Sequence, residues 1–159
     1  MDSRIESIME TVAIANEMGI PNEDIWVDPI ILPVSADQKQ VWEAVEFISI
    51  LQDLLPGVKS TVGLSNVSNG TPEELRPILN RTYMVMLGRR GLYSAIADVL
   101  DGDLVKLNRG ELPKIVDLIY KTMDGEAPDI SSLSKPEQDY VKTTKVLMGE
   151  TLYSHAWLD

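Results

Sequence analysis

Asp28, Asn66 and Asp98 each stand at or just beyond the end of a short β-prone run: Ile25-Trp26-Val27-Asp28, Ser60-Thr61-Val62-Gly63-Leu64 and Ser94-Ala95-Ile96-Ala97. In parallel α/β folds, ligands bind at the edge where the strands end. Two carboxylates and an amide at one such edge suit a polar ligand. Each residue also has a plainer reading. Asp28 ahead of Pro29 fits a turn cap, Asn66 fits an Asx-turn, and Asp98 fits a carboxylate facing water. Three polar groups at one edge favour the ligand site.

Other chemistries find less support. His155 is the one histidine and lies beside Trp157 near the end of the sequence, so a surface or packing role fits it better than catalysis. The lack of cysteine removes disulfides, thiolate metal sites, iron–sulfur clusters and cysteine nucleophiles. Asp101-Gly102-Asp103 and Asp124-Gly125-Glu126 lack the alternating ligands and closing glutamate of a calcium loop and read as turns. Gly63-Leu64-Ser65-Asn66 lacks the second glycine of a nucleophile elbow, and there is no Walker loop or dinucleotide fingerprint. The 159 residues carry 25 acidic and 14 basic side chains, a net charge of −11 that argues against nucleic-acid binding. No apolar run is long enough for a membrane span, and residues 1–19 lack a signal-peptide pattern. The expected location is the cytoplasm.

Hydrophobic periodicity supplies the elements that must position these residues. Apolar positions Ile5, Ile8, Met9, Val12, Ala15 and Met18 predict a helix over Ser3 to Met18. Ser35-Ala36-Asp37-Gln38 reads as a capping box opening a helix that runs to about Leu55. Thr71-Pro72-Glu73-Glu74 is a further helix start, interrupted at Pro77, and a helix follows from about Asn80 to Arg90. Strands therefore begin near residues 25, 60 and 93 with helices between them, the spacing of βα units and a parallel sheet. Beyond them one amphipathic helix is expected from Leu112 to Met123. Ser134-Lys135-Pro136-Glu137 is a capping box for a last helix through Met148 and toward Tyr153. The expected organisation is one domain over 1–159: βα units to 102, a helical insertion and loop over 103–137, and a closing helix over 138–159.

Four segments then carry a resemblance. Val27-Asp28-Pro29-Ile30-Ile31-Leu32-Pro33-Val34, Thr61-Val62-Gly63-Leu64-Ser65-Asn66-Val67-Ser68, Leu79-Asn80-Arg81-Thr82-Tyr83 and Gly91-Leu92-Tyr93-Ser94-Ala95-Ile96-Ala97-Asp98 resemble the pterin-binding methyltransferases. The nearest members are the methyltetrahydrofolate:corrinoid (iron–sulfur) protein methyltransferases. The resemblance covers about residues 1–103 and returns around Leu147 to Trp157. It implies a TIM-type (β/α)8 barrel and transfer of a methyl group from N5 of methyltetrahydrofolate to the cobalt of a corrinoid (cobalamin) carried by a partner protein. It also implies that Asn66 reaches N5 as the catalytic group, and that Asp28, Asn69 and Asp98 join Asn66 in binding the pterin. Relatives often carry glutamine at the place of Asn69. Dihydropteroate synthases share the barrel, but their basic motifs fall where this sequence has Ser65-Asn66-Val67 and Ile96-Ala97-Asp98, which makes that function the weaker alternative.

A complete barrel needs about 250 residues. Matched to the family, the sequence starts at the helix after strand five and supplies the C-terminal part, about three βα units. The family's other pterin ligands, an Asp and an Asn from the first half of the barrel, have no counterpart. The expectation is therefore a partial or split enzyme, completed by a complementary N-terminal barrel half or by self-association. The alternative is a non-catalytic folate-binding or assembly subunit.

Overall fold

The computed structural model describes residues 2–126 and 128–159. Three strands, β1 (Trp26–Val27), β2 (Lys59–Gly63) and β3 (Ser94–Ile96), form a parallel sheet in the order β1-β2-β3. Trp26 pairs with Lys59, and Gly63 pairs with Ile96. Helix α1 (Asp2–Glu17) precedes β1, α2 (Gln38–Leu54) links β1 to β2, and α3 (Arg76–Arg89) links β2 to β3. The chain is thus an α/β protein.

With right-handed crossovers, a strand order that never doubles back puts the connecting helices on one face of the sheet. The two faces differ accordingly. Val27, Ser60 and Val62 are buried, whereas Trp26 and Ile96 on the opposite face are 50% and 76% exposed. There the Lys59 ammonium lies 5.6 Å from the rings of both Trp26 and Tyr93, which meet edge to face. The buried core is built on the helix side, from Ala44, Val45, Ile48 and Leu51 of α2 and Leu79, Tyr83 and Met86 of α3. The Tyr83 hydroxyl donates to Val41 O at 2.9 Å and ties the two helices together.

Helix starts account for most differences from the sequence expectations. Asp37, not Ser35, caps α2, its carboxylate accepting from Gln40 N at 3.1 Å. Ser35 is occupied elsewhere, donating to Asn69 O at 2.9 Å. Pro77 does not interrupt α3 but sits in its first turn, where its missing N–H is not needed, so the helix begins four residues earlier than expected, at Arg76.

The acidic segment Asp101-Gly102-Asp103 is not a free turn. Asp101 caps a short helix, α4 (Gly102–Asn108), that the periodicity did not reveal. Its two buried leucines, Leu104 and Leu107, pack against α3. Helix α5 (Pro113–Met123) packs on α6 (Lys135–Leu147). Helix α6 opens with the expected capping box of Ser134 and Glu137 but ends at Leu147, and the chain continues as a non-helical tail. Among the described residues no helix is long and apolar enough to cross a membrane.

Candidate functional site

Asp28 leaves β1 directly. Its Oδ1 accepts from Ile30 N at 2.8 Å, an Asx-turn that bends the chain away from the strand. The turn forces Ile30 to φ 60°, a left-handed conformation that crowds a β-branched side chain. Pro29 and Ile31 on either side are buried, and Ile30 itself is 68% exposed, so the neighbours hold the strained residue in place. Such strain persists where the surrounding structure over-determines it and clusters at functional sites. Asp28, Ile30 and Leu32 share a cleft of about 320 Å³ with Arg4 and Ile8 of α1.

The exit from β2 is a 3-10 helix over Leu64–Ser68, which lifts Asn66 above the end of the sheet. The Asn66 amide nitrogen lies 3.1 Å from the point where a Cβ on Gly63 would stand, so only glycine leaves the amide its present place. Among the described residues no group is hydrogen-bonded to that side-chain amide. The two loops are joined by backbone: Val34 N donates to Val67 O at 2.9 Å. A second link is the Ser35 bond to Asn69 O. Gly70 is required beside it, because its φ is +76° and a Cβ there would meet Ser35 Oγ at 3.0 Å.

The structure therefore joins the loops of Asp28, Asn66 and Asn69 by hydrogen bonds and places Asp98 in a different cleft from Asp28, one that Ser65 of the Asn66 loop also lines. Asp98 forms its own Asx-turn, accepting from Leu100 N at 2.9 Å. It lines a different cleft of about 580 Å³, with Ser65, Glu73, Arg76, Asn80, Arg81 and Asp101 among the other walls. There Arg81 pairs with Asp101 at 2.7 Å and Asp103 at 3.3 Å. Burial alone would raise the Asp101 pKa, but the Arg81 hydrogen bonds and charge and the backbone N–H groups of α4 outweigh it, so the carboxyl titrates below its ordinary value. Asn80 Oδ1 in the same wall is buried and, among the described residues, has no hydrogen-bond partner.

Arg76, beside the candidate residues, was not picked out from the sequence. Its Nε donates to Ser68 Oγ at 3.2 Å and its Nη2 to Asn69 Oδ1 at 3.5 Å, so it holds the Asn69 side chain. The signal was present in Pro77, which marks a first helical turn and hence places Arg76 against the loop before it. His155 is exposed at the tail and meets Tyr153 edge to face at 5.9 Å.

No family model matches the chain. Over 105 residues it is 24% identical to the methylcorrinoid:tetrahydrofolate methyltransferase of Eubacterium limosum, a match covering 66% of this chain. The matched stretch spans 38% of that protein, so the chain corresponds to well under half of its relative.

Proposed function

We propose that this chain carries part of a site for methyl transfer between N5 of a tetrahydrofolate and the cobalt of a corrinoid held by a partner protein in the cytoplasm. The observation that carries this reading is the exposed Asn66 amide, without a hydrogen-bond partner among the described residues, at the carboxyl edge of the sheet in a loop bonded through Val34 N and Val67 O to the loop of Asp28. The weak likeness to a methyltransferase that uses a corrinoid and a folate points the same way.

The chemistry suits these residues. A methyl group leaves a tertiary amine only if the nitrogen is stabilised as its electron pair returns, by a proton or a hydrogen bond. An amide can donate or accept, so Asn66 follows the change at N5 without ionising. Asp28 keeps one carboxylate oxygen beyond its bond to Ile30 N, and the amino and amide N–H groups of a pterin are donors that suit it. Asn69, held by Arg76, is in reach of the same loop, and Asp98 contributes from the adjoining cleft. The relative's name gives the direction from methylcorrinoid to tetrahydrofolate, the reverse of the direction the sequence motifs suggested. One transition state serves both, so the same residues act in either sense.

The sheet supports a partial TIM-type barrel. Its strands run in sequential order and one face stands open, whereas parallel sheets of α/β proteins are covered on both faces. Three strands of eight would be completed by a complementary N-terminal half or by self-association. The placing of Asp28 and Asp98 in separate clefts favours a second reading, a folate-binding or assembly subunit without catalysis.

Reconstitution with 5-methyltetrahydrofolate and a corrinoid protein tests the choice. Asn66→Ala is expected to slow transfer by about 10²-fold or more. Unchanged transfer in that variant defeats the catalytic reading, and tight folate binding with no transfer supports the second one.

A further inference from the structure

The tail beyond α6 reaches both loops of the candidate site. Gln38, the first residue of α2, bonds both to it and to the last turn of α6. Its Nε2 donates to Val146 O and Thr151 O, each at 2.6 Å, and its Oε1 accepts from Tyr153 N at 3.1 Å. The Tyr153 hydroxyl lies 2.7 Å from Thr71 Oγ1. Gln38 closes the loop that starts at Asp28. Thr71, buried and bonded through its N–H to Ser68 O, closes the loop that holds Asn66 and Asn69. The tail is itself anchored on α6: the Tyr153 ring packs on Trp157 at 5.6 Å, and Trp157 Nε1 donates to Thr143 Oγ1 at 3.0 Å.

We infer that residues 149–159 form a strap that braces the two directly bonded loops from outside, with Gln38, Thr71 and Tyr153 as positioning residues for the ligand. The inference rests on the reading that Asp28, Asn66 and Asn69 serve one ligand. Each loop holds its own shape through local turns, the Asx-turn at Asp28 and the 3-10 helix before Asn69. Local turns do not set the distance between loops. Two direct bonds join the loops, Val34 N to Val67 O and Ser35 Oγ to Asn69 O, and the contacts to the tail brace that pairing from outside, joining residues between 82 and 115 positions apart in sequence. A neutral hydrogen bond of this kind contributes little to global stability, yet it governs local opening of the segment it closes.

Amide hydrogen exchange on the 159-residue chain, read by NMR, tests the strap. Tyr153→Phe and Thr71→Val remove the same bond from its two ends. Each is expected to speed exchange at the Asn69 and Thr71 amides by about three- to tenfold, with the α2 amides of Ala44 and Val45 unchanged. The double variant should exchange no faster than either single one, and Thr71→Ser, which keeps the hydroxyl, should restore protection. Leu152→Ser, at an exposed position of the same tail, is the neutral control. Unaltered exchange, additive effects in the double variant, or failure of the serine to rescue overturns the strap. The dissociation constant of 5-methyltetrahydrofolate should rise in parallel in the Phe and Val variants. Faster exchange with equal affinity overturns the positioning role. A wild-type chain that does not bind the folate counts against the proposed function instead, and the exchange result still decides the strap.

Discussion

The side-chain amide nitrogen of Asn66 stands 3.1 Å from the vacant Cβ position of Gly63, the last residue of β2. Gly63 has φ −82°, which any residue adopts, so its lack of a side chain serves the neighbour and not the backbone. Gly63→Ala should therefore leave stability within about 1 kcal/mol of the wild type, since restricting the unfolded chain offsets the crowding. It should push the Asn66 amide outward by a few tenths of an ångström. If that amide meets the reacting nitrogen, transfer slows by about tenfold, because near-attack geometry tolerates little displacement. Paired thermal melts and single-turnover kinetics check both halves. A variant with wild-type turnover separates Asn66 from the chemistry.

Ile30 offers a test of stored strain. A left-handed conformation costs an L-residue about 1–2 kcal/mol, and asparagine bears it more readily. Ile30→Asn should raise stability by up to about 1 kcal/mol, since the isoleucine is mostly exposed and buries little. A chemical-denaturation midpoint that rises with an unchanged slope is the expected result. If the apolar side chain beside Asp28 also contacts ligand or partner, affinity falls while stability climbs. A destabilised variant would show that Ile30 is held by packing and not by the turn.

Much of this arrangement was legible in the residues, and the misses share a cause. The strands near 25, 60 and 93 and the parallel sheet followed from runs such as Ser60-Thr61-Val62-Gly63, and all three lie within a residue or two of their expected places. The box of Ser134 and Glu137 was readable because both partners lie within one helical turn. Ser35 offered an equally good local signal and was wrong, because its hydroxyl is claimed by Asn69 O across the gap between loops. Helix α4 escaped for the same reason: seven residues carry too little periodicity, and what holds them is the distant pair of Arg81 and Asp101. The separation of Asp98 from Asp28 into two clefts is likewise tertiary. Strand-end position places a residue at an edge, but the turns that follow decide where it points.

Acid should weaken the α5–α6 unit. Glu137 is held at a pKa of about 2 by hydrogen bonds from Lys114, then from the Ser134 side chain and backbone. A carboxyl whose folded value lies below its ordinary 4.5 adds stability that is full above that value. The contribution fades as pH falls from about 4.5 toward about 2. Glu137→Gln should melt below the wild type at pH 7, with the two converging across that window. Circular-dichroism melts over a pH series measure the convergence. A gap that stays constant down to pH 2 would place the stabilising bonds elsewhere.

The last prediction separates a cap from an ion pair in one residue. Asp101 caps α4 by accepting from Leu104 N at 3.1 Å, and the two oxygens of the same carboxylate share the single Arg81 Nε–H, each at 2.9 Å. Asparagine caps as well as aspartate, so Asp101→Asn keeps the helix start and removes only the charge. The pair is partly shielded, with side chains 24% and 12% exposed, so its loss should cost about 1–3 kcal/mol. In a chain of this length each kcal/mol lowers Tm by roughly 2–4 °C. Because the Asp101 pKa lies below its ordinary value, its share of stability is also lost as the solution becomes acidic, so variant and wild type should again converge at low pH. Arg81→Met breaks the same pair from the other side and also removes the contact with Asp103, which keeps Lys106 as a partner at 3.2 Å. It should therefore cost at least as much. Should Asp101→Asn be neutral while Asp101→Ala is destabilising, the cap alone holds α4 against α3, and Arg81 is left free to meet a ligand in the cleft it lines.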